Sequence, residues 1–100
     1  MWTETLLDVF SAYINQGTIE EGVSQMVFVS SDSPEQHEAF CDALFEGIQA
    51  ASSSDSRIRD IINSSGYQAS SDEEAVALIK EVEVAYLKRF NETRKNDVAD

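Results

Sequence analysis

One hundred residues, 42% of them hydrophobic and 9% aromatic, point to one domain with a modest core and exclude a disordered chain. Nineteen acidic residues against seven basic ones leave a net charge of −12, and no Lys or Arg occurs before Arg57. Such a field repels nucleic acid and anionic membrane and draws in basic proteins.

The first predicted element is a helix over positions 3–15. Trp2, Leu6, Val9, Phe10, Tyr13 and Ile14 recur at three- and four-residue steps, making one apolar stripe. Asn15-Gln16-Gly17 is a stop signal, with Gly17 the expected left-handed cap. A second helix is expected over 18–29, because Thr18-Ile19-Glu20-Glu21 has the capping-box form. Met26-Val27-Phe28-Val29 is β-prone, which makes a short strand the rival reading. A strand needs a partner, and no second strand pattern is visible, so helix is expected.

Ser33-Pro34-Glu35-Gln36 opens a third helix reaching about Ala51: Ser33 caps, Pro34 fits the first turn and Gln36 completes the box. Ser52-Ser53-Ser54 reads as a turn. A short fourth helix over 55–64 buries Ile58, Ile61 and Ile62, and Ser65-Gly66 ends it before a loop containing Tyr67. The fifth helix starts with Ser71-Asp72-Glu73-Glu74. It carries Ala75, Leu78, Ile79, Val82, Tyr86 and Phe90 as its stripe. Its last turns hold Lys88, Arg89, Arg94 and Lys95, which suit the negative helix end, and a frayed tail is expected over 96–100. The expected fold class is all-α, a compact bundle of four to five amphipathic helices in a single domain.

The third helix carries the functional signal. At about 100° per residue, Glu35, Glu38, Asp42 and Glu46 fall in one narrow sector. Phe40, Cys41, Leu44, Phe45 and Ile48 are assigned to the other side. Like charges at this spacing cost a few tenths of a kcal/mol (about 0.2–0.5) per pair. A solvated face ordinarily mixes in Lys. This one does not, and that favours a binding surface for a basic partner over plain solubility. Asp32 beside the row, Glu20 and Glu21 on the second helix, and Tyr67 in its loop are the further candidate partner contacts.

No set of residues points to catalysis. Cys41 is the only cysteine, which rules out an internal disulfide and fits a cytosolic setting; its acidic surroundings oppose a reactive thiolate. His37 is the only histidine and lacks companions for acid–base work. Asp72-Glu73-Glu74 lacks the ligand spacing of a calcium loop, and there is no zinc cluster or glycine-rich phosphate loop. No catalytic residue, metal or cofactor is therefore expected. Neither a signal-peptide pattern nor a membrane-length apolar run is visible.

Three stretches carry a family resemblance: LLDVFSAYINQGTIEEGV at 6–23, EAFCDALFEGIQAASSSDSRIRD at 38–60 and SSDEEAVALIKEV at 70–82. In order and character they resemble the colicin D-type immunity proteins, and more broadly those of contact-dependent growth inhibition systems. The chain departs from that pattern at Val23-Ser24-Gln25-Met26, where the family has an acidic-aromatic run. The resemblance implies a small helical bacteriocin-type immunity protein that binds one cognate toxin, often a tRNA-attacking nuclease, and covers its basic cleft with acidic side chains. It would place Glu35, Glu38, Asp42 and Glu46 at that cleft, with Glu20 and Glu21 in support. The alternatives are a phage-type nucleic-acid mimic that inhibits a restriction or CRISPR nuclease, and a helical protein-interaction adaptor.

Overall fold

A computed structural model describes residues 2–14 and 18–98, with side chains through residue 93. Among the described residues the chain forms α1 (Trp2–Asp8), a π-helical turn (Val9–Tyr13), α2 (Ile19–Ser30), α3 (Pro34–Ser52), α4 (Ser56–Ser64) and α5 (Asp72–Val98), with no strand. The all-α expectation therefore holds, and Met26–Val29 is helical. The proposed Gly17 cap lies outside the described residues, as do 99 and 100 of the tail.

The helix starts use the side chains that the sequence offers. The Thr18 hydroxyl accepts the Glu21 N–H at 3.1 Å and donates to the Glu21 carboxylate at 3.2 Å. Ser33 accepts the Gln36 N–H at 3.2 Å. Asp55 accepts the Arg57 N–H at 3.0 Å and also grips its guanidinium, which holds the Asp55 carboxyl below its ordinary range. At α5, Ser71 caps Glu74, whose carboxylate accepts both the N–H and the hydroxyl of Ser70. Each cap satisfies N–H groups that a helix start leaves without an internal partner.

The end of α3 is a Schellman motif built without glycine. The Asp55 N–H reaches the Ala50 carbonyl at 2.9 Å and the Ser54 N–H reaches that of Ala51 at 3.0 Å. Ser54 closes it at φ 61°, a conformation that suits glycine better than a side chain.

α3 packs on α5 and on α1, and α2 lies along α5. The core joins Leu6, Val9, Phe10 and Ile14 to Met26, Phe40, Leu44, Ile58, Ile62, Ile79, Val82 and Tyr86. The first helix departs from its predicted course. Its α-helical part stops at Asp8, and the Ile14 N–H is shared between the carbonyls of Phe10 and Val9. Ser11 bonds back to the Leu7 carbonyl at 2.6 Å, a contact that bends helices. The Tyr13 carbonyl then lies against α2 at Gly22, where a Cβ would stand 2.7 Å from it.

Phe45 corrects the predicted inner face of α3. It is 54% exposed, while Phe40, Leu44 and Ile48 are buried as expected. The packing partners of α3 cover the sector around Phe40, Ala43, Leu44 and Gly47, and Phe45 falls outside it.

Candidate functional site: an acidic face on α3

The four carboxylates of α3 share one exposed sector. Glu35, Glu38, Asp42 and Glu46 are all exposed, and among the described residues none of them forms an ion pair. Four of the described cations have their neighbours elsewhere. Arg57 Nη2 lies 2.7 Å from Asp55, and Arg59 lies 3.9 Å from Asp72. Lys88 and Arg89 line the α2–α5 groove beside Glu20, Glu21 and Glu92. The row is therefore negative and, among the described residues, without an ion pair, with the exposed Phe45 ring on the same helix.

Three of the candidate contacts sit apart from the row, as their positions on α2 and in the Tyr67 loop imply. Glu20 and Glu21 sit in that α2–α5 groove, opposite Lys88 and Arg89, and not in the α1–α3 cleft that Asp42 and Glu46 line. Helix 2 packs along α5, which turns its first turn toward the cations of α5. Tyr67 is half-buried. Its hydroxyl donates to the Ile14 carbonyl at 3.1 Å, and its ring meets Phe10 edge-on at 6.2 Å. Its loop is pinned further by Asn63, which accepts the Ala69 N–H at 2.7 Å. Asp32 is exposed in the turn leading into α3, at the Glu35 end of the row.

Behind the acidic face, a polar chain ties α3 to α2 and α5. The Ser30 hydroxyl donates to the Met26 carbonyl at 2.8 Å, so its oxygen accepts from the Tyr86 hydroxyl at 2.9 Å. The Tyr86 oxygen in turn accepts from His37 Nδ1 at 2.6 Å. With the donors assigned in this order, a neutral imidazole carries its proton on Nδ1, and Nε2 lies 3.6 Å from Cys41 Sγ. His37 also stacks on Phe90, with ring centroids 3.8 Å apart. Tyr86 is fully buried, and that burial pushes its phenol up to about 12. Burial, with Asp42 and Glu83 nearby, raises the Cys41 thiol as well. The Cys41–His37 pair thus favours the thiol over the thiolate that nucleophilic chemistry needs.

Between α1 and α3 lies an open cleft of about 500 Å³, lined by Trp2, Thr5, Ala39, Asp42 and Glu46. Two of the row's carboxylates form one wall of it. Among the described residues no three His, Cys, Asp or Glu side chains converge as a metal site, and no helix is long and apolar enough to cross a membrane. No family model, curated protein or solved structure matches the chain.

Proposed function

We propose that this protein is an immunity-type inhibitor. It binds a basic toxin domain, of which a nuclease is the favoured kind, and covers the toxin's cationic cleft with the acidic face of α3. One observation carries this reading: four exposed carboxylates on one helical sector, left without a cation among the described residues. A nuclease cleft is lined with Lys and Arg to hold phosphate. Carboxylates at that spacing can pair with those cations through charge-assisted hydrogen bonds, and complementary potentials speed the encounter. The resemblance to colicin D-type immunity proteins points the same way. In this reading the protein works by occlusion and carries out no chemistry.

The test is co-purification of the tagged chain with the product of the adjacent upstream gene. Complex formation is expected, together with its loss when Glu38 and Asp42 are both changed to lysine. Retention of the complex by that folded variant would place the interface elsewhere.

A helical adaptor is the second reading, and one observation favours it. Phe28 on α2 is 80% exposed and Val84 on α5 is 66% exposed, both outside the acidic row. Exposed apolar side chains can anchor a partner without charge. Binding through them would be nearly independent of salt and would respond to Phe28→Ala rather than to Glu38→Lys.

A further inference from the structure

We propose that the α1–α3 cleft is a receptor for a single arginine side chain presented by a basic protein. This rests on the reading of α3 as a docking face and names the contact that would anchor it.

The cleft joins three features that suit a guanidinium. Asp42 and Glu46 stand one turn apart on α3 and offer carboxylate oxygens on one wall. Trp2 and Thr5 lie one turn apart on α1 and form the other. Ala39, one turn before Asp42 on α3, also lines the cleft and has the smallest side chain of the set. A planar guanidinium can stack on an indole while its N–H groups reach a carboxylate in pairs. A lysine ammonium is a compact point charge, more strongly hydrated, and gains less from such walls.

The Trp2 ring already receives one guanidinium within the chain. Arg57 Cζ sits 5.7 Å from its centroid. That group is held by Asp55 and is not among the residues lining the cleft, and among the described residues neither Asp42 nor Glu46 forms an ion pair. Phosphate-bearing ligands are repelled by the same pair. A partner surface rich in arginine is the chemistry that matches.

Trp2 is the only tryptophan, so its emission reports on the cleft directly. The test titrates the protein with hexa-arginine and hexa-lysine peptides at low ionic strength, following Trp2 fluorescence and, independently, calorimetric binding. Hexa-arginine is expected to perturb Trp2 emission saturably and to bind about threefold to tenfold tighter than hexa-lysine. Ala39→Leu, which fills the cleft without changing charge, should remove that preference. The double variant Asp42→Asn/Glu46→Gln should remove it too, at exposed positions where folding is not at risk. Glu35→Gln/Glu38→Gln makes the same charge change outside the cleft. It should weaken both peptides equally and leave the arginine preference intact.

Equal affinity for the two peptides, an unmoved Trp2 emission, or an Ala39→Leu protein that binds like the wild type would overturn the cleft. If the peptides still respond to the Glu35→Gln/Glu38→Gln change, the docking face survives without it. Failure of both peptides to bind at low salt would bring down the docking face itself.

Discussion

Tyr86→Phe removes one oxygen from the polar chain behind the acidic face, and its consequences can be worked out at two pH values. At pH 7 the variant loses hydrogen bonds to Ser30 and His37. Ser30 keeps its bond to the Met26 carbonyl, and half-buried His37 can turn to water, so no buried group is orphaned. The expected loss is about 1–2 kcal/mol, well below the ~3–5 kcal/mol of deleting a buried aromatic ring. At alkaline pH the difference shrinks. Burial raises the folded-state phenol from its ordinary 10.0 to about 12, so the unfolded chain ionises first. The stability from the protonated phenol is complete below pH ~10 and is lost as pH rises through ~12. By pH 11 linkage takes away ~1.4 kcal/mol from the wild type, or about 1 after allowing for solvent near His37. Tyr86→Phe has no such loss, while Tyr13, Tyr67 and the lysines cancel between the two proteins. Urea unfolding followed by circular dichroism at pH 7 and pH 11 should show the gap falling from about 1–2 kcal/mol toward zero. A gap that stays constant or widens with pH would refute the buried, hydrogen-bonded phenol.

Further outcomes follow from the same geometry. Glu38→Lys stands three residues from Glu35 and four from Asp42, turning two repulsions into attractions. A gain of about 0.5–1 kcal/mol in thermal unfolding at low salt is expected, vanishing in molar NaCl, while partner binding weakens. Ser54→Gly relieves the left-handed strain at φ 61° and should stabilise by ~0.5–1 kcal/mol in urea titration, after the entropy that glycine returns to the unfolded chain. Gly22→Ala gains ~1 kcal/mol of helix propensity but sets a Cβ 2.7 Å from the Tyr13 carbonyl oxygen and 2.9 Å from Ile14 Cα. Both atoms are backbone, so overpacking should win and the net loss is about 1–2 kcal/mol by thermal melt.

The helix starts were legible because each rests on local chemistry. Thr18, Ser33, Asp55 and Ser71 are polar caps within four residues of the N–H groups they serve. The carboxylate row was legible for the same reason, since helical spacing alone brings Glu35, Glu38, Asp42 and Glu46 together. What depends on how helices cross was not. Phe45 matches the apolar stripe by periodicity, yet no neighbouring helix covers it. Glu20 and Glu21 resemble the α3 row in sequence, but the packing of α2 along α5 turns them to Lys88 and Arg89. The Ser30–Tyr86–His37 chain joins residues 56 and 49 positions apart. Its one sequence trace is a tyrosine on an apolar stripe, whose hydroxyl needs a partner when buried. The π-helical turn left no such trace.

The central claim is that the α3 face meets a basic protein through its charge. The most direct measurement is the association rate of the co-purified partner, by stopped flow, from 50 to 500 mM NaCl, for the wild type and for Glu38→Lys/Asp42→Lys. The account predicts a wild-type rate that falls about tenfold or more across that range, and a variant whose rate is already low and barely salt-dependent. Equal rates for the two proteins, unmoved by salt, would contradict it.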